Sequence, residues 1–191
     1  MVQPVPPGTD ALPVAGEGIR RWKYALGAGV CLLFGWIAFV RSAQVPLLSL
    51  VDLGFHELGH LVTRPLPEVV MLMAGSGAQI AVPIGLAAYF LFFRKDRLGV
   101  ALCLAWAATS AKDVAVYVAD APYQALPLIG GGHDWAAILG PAHFDAIDKA
   151  SVIAAGIRGF GMALLFGAFA ICVWAIVLDE PVYPHRPVTV R

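Results

Sequence analysis

The chain has 191 residues; 59% are hydrophobic and only 14% charged, with 13 basic and 13 acidic side chains. A soluble domain averages about 25% charged residues, and at a mean hydropathy of +0.75 a water-soluble fold of one domain's size could not hide the apolar surface, so lipid is the expected solvent. Zero net charge without a basic patch excludes nucleic acid as an expected partner, and Cys31, Cys103 and Cys172, each in an apolar run and without CxxC spacing, read as small buried hydrophobes and not as disulfides or metal ligands.

Residues 1–20 are polar and Pro/Gly-rich with no apolar core of a signal peptide, which predicts a disordered arm. A single membrane domain is expected over 21–180 and a polar tail over 181–191. The first apolar run, Tyr24 to Val40, follows Arg20, Arg21 and Lys23 and has about one bilayer's length. The second, Pro46 to Val62, carries Asp52, His56, Glu57 and His60 and ends at Arg64-Pro65-Leu66-Pro67, where proline stops a helix. The third, Val69 to Phe93, contains Gly75-Ser76-Gly77-Ala78-Gln79 and Pro83, which predicts a kink; Arg94-Lys95-Asp96-Arg97 is a turn at a membrane surface. The fourth, Leu98 to Val118, is charged only at Lys112 and Asp113, the segment 120–149 is mixed and Pro/Gly-rich, and the last run, Ala150 to Leu178, is broken only by Arg158, which is expected to snorkel or to pair with Asp113 or Asp120.

The expected fold is therefore all-α, a polytopic bundle of four or five transmembrane helices, one of them carrying the acidic and histidine cluster and either spanning or re-entrant. Leaving out Lys112 and Arg158 within the runs, if the second run spans with the N-terminus inside, the other eleven basic residues divide five inside and six outside; if it only dips in, they divide eight inside and three outside. The second division obeys the positive-inside rule and puts the cluster and the 119–149 segment outside. The expected location is a bacterial inner (cytoplasmic) membrane, with lipid as the surrounding partner.

His56-Glu57-Leu58-Gly59-His60 is a HExxH motif. On a helix, residues four apart share a face, so His56 and His60 can aim nitrogens at one ion. Glu57, about 100° round the helix from His56, is placed to take a proton from a water that a zinc ion acidifies. Asp52, four residues before His56, shares its face and can orient that ring or join the ligands. A chance match is the alternative, but an ionisable side chain in a membrane segment costs about 2.5–3.5 kcal/mol, and a group of four between residues 52 and 60 argues for a cation or a wet cavity. A catalytic zinc needs a third protein ligand. Asp113, Asp120, His133, Asp134, His143 and Asp145 are the candidates. Asp113, Tyr117 and Asp120 share a helix face, and His133-Asp134 follows Gly130-Gly131-Gly132, a stretch that can fold back closely. Trp135 suits a membrane interface. His143, Asp145 and Asp148 read as the solvated start of the last helix, and His185 as unrelated tail. Gln79 and the glycines near it serve helix packing or polar contacts to a bound peptide.

Phe55-His56-Glu57-Leu58-Gly59-His60 in a membrane segment resembles the site-2 protease family of intramembrane metalloproteases, the M50 type, with a weaker likeness at Gly75 to Gln79 and Pro83. The resemblance implies His56 and His60 as zinc ligands, Glu57 as the base, and a distant aspartate as third ligand. In the family that aspartate lies in an Asp-Gly motif, often after Asn-Pro; this chain has no asparagine and no Asp-Gly pair. Its Gly130-Gly131-Gly132-His133-Asp134-Trp135 is similar instead to a branch of M50-like membrane proteins with His-Asp-Trp after glycines, which implies Asp134 as the third ligand, with His133 as the alternative. The implied activity is a zinc metallopeptidase acting on a transmembrane or juxtamembrane peptide bond. The rival expectations are a non-proteolytic metal-binding scaffold or accessory subunit, with membrane-protein partner subunits, and a metal or proton transporter using Asp52, Asp113 and Asp120.

Overall fold

The structure, a computed structural model, describes residues 15–128 and 132–178. Helix α1 (Ala15–Gly35) begins inside the arm expected to be disordered and continues into a π-helical turn, Trp36–Val40. It is followed by α2 (Leu48–Thr63), α3 (Glu68–Tyr89) with a second π-helical turn at Phe90–Arg94, α4 (Arg97–Asp120), the short α5 (Asp134–Leu139) and α6 (Ala150–Leu178) behind a single 3₁₀ turn. No strand occurs among the described residues. The tail and the glycines at 130 and 131 lie outside the described residues.

Among the described residues, four segments are long and apolar enough to cross a membrane: Arg21–Val40, Glu68–Arg94, Arg97–Asp120 and Ile147–Val177. Helix α2, which carries the HExxH motif, has 16 residues and so extends ~24 Å, short of the ~30 Å of a hydrocarbon core. Local chemistry sets the breaks. Pro67 precedes α3, whose first turn holds Glu68, a favourable charge at a helix N-terminus. Lys95 turns the chain in the left-handed region (φ 52°), and the Asp96 carboxylate caps α4 by accepting from the Leu98 N–H at 3.1 Å. Helix α3 runs through Pro83 as one helix.

Helix α4 is the centre of the bundle: 61% of its spanning window is buried, against 22% in each of the other three. Its small residues make this possible. Ala101 and Ala105 pack with Ala168 and Cys172 of α6 and with Cys31 of α1, while Val114, Val118 and Ala121 pack with Ala150 and Ala154 of α6 and with Ile138 and Leu139 of α5. Helices α4 and α6 are thus antiparallel and close; a β-carbon on Gly161 would lie 2.9 Å from the Ala108 carbonyl, the intimacy that small residues give membrane helices. Cys31 and Cys172, distant in sequence, share this core as free thiols.

Helix α1 runs parallel to α4, since Gly27 abuts Leu98 while Phe39 reaches Gly161 beside Ala108. It ends level with Lys112, whose ammonium donates to the Ser42 and Ala43 carbonyls at 3.2 and 3.1 Å. Helix α2 then runs in the same direction, from Asp52 at Trp106 and Ser110 to His60 at Met71, near the start of α3. The connector between them contains two left-handed non-glycine residues, Ser42 (φ 51°) and Leu47 (φ 65°). So α2 continues in the direction of α1 after a break within the bundle. Arg158 does not pair with Asp113 or Asp120 as expected: it donates to the Phe39 carbonyl at 3.2 Å, because the last carbonyls of a helix lack internal donors.

Candidate metal centre

Helix α2 lies against α3 through Gly59, which presses on the backbone of Ala74. That contact turns one face of α2 toward α3, α4 and α5. His56 and His60 share this face, with ring centroids 4.7 Å apart. His60 Nδ1 lies 2.8 Å from the Met71 carbonyl. A carbonyl only accepts, so Nδ1 carries the proton and the Nε2 lone pair is left facing the centre, the arrangement that metal-ligating histidines use.

The third donor comes from α5. His133 caps this helix, its Nδ1 accepting from the Ala136 N–H at 3.2 Å. The indole N–H of Trp135 donates to Ser76 Oγ of α3 at 3.0 Å; a half-buried indole N–H takes such a partner when one is in reach. These anchors bring Asp134 Oδ2 to 3.0 Å from His56 Nε2 and 3.2 Å from His60 Nε2. The ligand atoms of His56, His60 and Asp134 all lie within 4.8 Å of one another. Burial alone would raise the Asp134 carboxyl, but the His56 hydrogen bond, the positive charge that His60 and His56 carry when protonated and the Tyr117 hydroxyl outweigh it and hold the group below the usual carboxylate range.

Two imidazoles and a carboxylate are a donor set that suits zinc, and the cradle for an ion is present. A β-carbon on Gly75 would sit 2.5 Å from His60 Nε2 and 2.7 Å from His56 Nε2; with glycine there, the space in front of both nitrogens is open. A cavity of about 590 Å³ adjoins the centre, lined among others by Glu57, Asp52, Gln79, Lys112 and Tyr117. Glu57 is exposed into it.

The other candidates lie elsewhere. Asp52 Oδ1 accepts from Trp106 Nε1 at 2.7 Å and Ser110 Oγ at 2.9 Å, which ties α2 to α4. Asp113 pairs with Lys112 at 3.2 Å. Asp120 accepts from the Ala125 and Leu126 N–H groups at 3.1 and 3.0 Å and faces His133 Nε2 at 3.4 Å. His133 thus points away from the His56 and His60 nitrogens. His143 lies 4.0 Å from Glu68, and Asp145 sits in the turn after α5. Sequence reasoning had not found Gly75 as the cradle, or Tyr117 as the acceptor of the Asp134 N–H at 2.9 Å. The run of small residues around Gly75 was the available signal, and packing had absorbed it.

Compared with family models, with curated proteins and with solved structures, the chain finds no match.

Proposed function

We propose that the protein is a membrane-embedded zinc metallopeptidase of the M50-like type that cleaves a transmembrane or juxtamembrane peptide bond. The observation that carries this reading is the convergence of His56, His60 and Asp134 from two distant segments onto one point, with Glu57 on the adjoining cavity wall. A zinc ion held by these three side chains would polarise a scissile carbonyl and bring a water's pKa down to about 7. Glu57 would accept the proton of the attacking water and return it to the leaving amine. Met71 fixes the His60 ring through its carbonyl, and the polar cavity wall admits water to an otherwise apolar bundle.

A multi-pass location in a bacterial inner membrane follows on the same reading. Large apolar side chains such as Leu32, Phe166 and Val177 are exposed, as lipid contact requires. Arg21, Lys23, Arg94, Lys95 and Arg97 lie at one end of the bundle, and Arg64 and Lys149 at the end that carries the metal centre. The positive-inside rule then turns the centre toward the outer side.

The test is elemental analysis of the detergent-purified protein, wild type against His56→Ala/His60→Ala, followed by cleavage of co-reconstituted transmembrane peptides read by mass spectrometry. About one zinc per chain, absent from the double variant, together with cleavage lost in a zinc-loaded Glu57→Gln variant, supports a peptidase. Zinc without any cleavage dependent on Glu57 supports the scaffold instead. Absence of histidine-dependent zinc sinks both.

A further inference from the structure

We infer that Tyr117 is the positioning residue of the metal centre, holding Asp134 in ligand geometry from the most buried helix of the bundle. The inference rests on the zinc reading above and adds a residue to it.

Asp134 needs such a support. It is the first residue of a six-residue helix, too short to be stable alone, at the end of a long connection from α4. A ligand displaced by about 1 Å weakens a site. Tyr117 stands on α4, and its Oη accepts the Asp134 backbone N–H at 2.9 Å. The phenolic proton is then free for the Asp134 carboxylate, which the hydroxyl also adjoins. That oxygen therefore holds the main chain of a ligand residue and lies beside its carboxylate. The Tyr117 ring also meets the His56 ring, edge to face with centroids 6.0 Å apart, so it touches two of the three ligand residues.

Tyr117 is braced in turn. It stacks on His133 with centroids 4.3 Å apart and planes inclined by 25°. Because His133 Nδ1 accepts from Ala136, its proton is on Nε2. That atom is buried without a hydrogen-bond partner, and its nearest acid is Asp120 at 3.4 Å. Asp120, His133, Tyr117 and Asp134 form a continuous line from the end of α4 to the centre. It gives His133 and Asp120 a part in the site without making either a ligand.

The experiment is a zinc competition titration in detergent against a chelator of known affinity, with the visible absorption of the cobalt-substituted protein as a second readout. Wild type, Tyr117→Phe and His133→Phe are compared. Tyr117→Phe keeps the ring and its stacking, so its helix content should match wild type and its metal-free melting should fall only by the lost bond to the Asp134 N–H. Its zinc affinity should fall by about 10- to 100-fold, with a changed cobalt band. His133→Phe, which keeps the stack but loses the cap and the Asp120 contact, should show a smaller loss. Unchanged affinity and an unchanged cobalt spectrum in Tyr117→Phe would overturn the inference while leaving the centre intact. A wild-type protein without histidine-dependent zinc would overturn the centre and the inference together.

Discussion

Gly75 stands so close to His60 that a β-carbon there would lie 2.5 Å from the Nε2 atom. The two helices cannot move apart to make room without breaking the Gly59 contact with Ala74. Gly75→Ala should therefore fill the place of the ion while adding a helix-favouring residue. Zinc content by elemental analysis should fall from about one per chain to near zero, with helical circular dichroism retained. Full zinc in this variant would put the ion somewhere else.

Asp52 acts on packing in this structure. Its Oδ1 receives both the Trp106 indole and the Ser110 hydroxyl, and an amide oxygen can receive both too. Asp52→Asn should keep zinc and lose little stability. Asp52→Ala should cost about 1–3 kcal/mol, since it leaves the Trp106 indole N–H unmet, while the Ser110 hydroxyl keeps the Trp106 carbonyl at 3.2 Å; zinc is again retained. Loss of zinc in Asp52→Asn would show that the second carboxylate oxygen serves the metal.

The Lys112 ammonium is buried, and three acceptors saturate it: the Ser42 and Ala43 carbonyls and Asp113. Lys112→Met strips the donor from both carbonyls and leaves Asp113 unpaired. Breaking a buried pair in this way costs about 3–5 kcal/mol. Thermal melts in detergent should show a large loss for Lys112→Met and a partial recovery in Lys112→Met/Asp113→Leu. Equal melting of wild type and the single variant would remove Lys112 as the clasp of the connector.

Metal loading should be visible in stability. A ligand at 100 times its dissociation constant stabilises the folded state by about 2.7 kcal/mol. Chelator should lower the melting temperature of the wild type and zinc should restore it, whereas Asp134→Ala should melt alike in both conditions. A chelator effect that persists in Asp134→Ala would exclude Asp134 from the ligand set.

Much of the fold was legible because each apolar run is bounded by charges or prolines. The fourth and last runs match α4 and α6 to within two residues, and the third matches α3 together with its π-helical turn to within one. The two histidines of α2 were legible as a pair because helical spacing alone puts them on one face. Asp134 entered through a likeness in its local sequence, since nothing in periodicity could say that residue 134 would return to residue 56. What could not be read was long-range. The partners of Asp52 are 54 and 58 residues away, and the acceptor of Arg158 is a backbone carbonyl 119 residues distant. Helix α5 was hidden inside a Pro/Gly-rich stretch because six residues carry too little periodicity to register.

The separation between His56 and Asp134, 78 residues, has a mechanical consequence. An ion gripping both would act as a staple, closing a loop that includes all of α3 and α4, so that opening the loop would forfeit the binding free energy of the metal. The apo chain holds that loop shut by weaker contacts: Tyr117, Trp135 and the apolar side of α5. Limited proteolysis would thus sense loading at a distance. The segment between α4 and α5 should be nicked readily in the empty protein and resist once the staple is in place, so a cell could clear unloaded copies with no receptor for the metal itself.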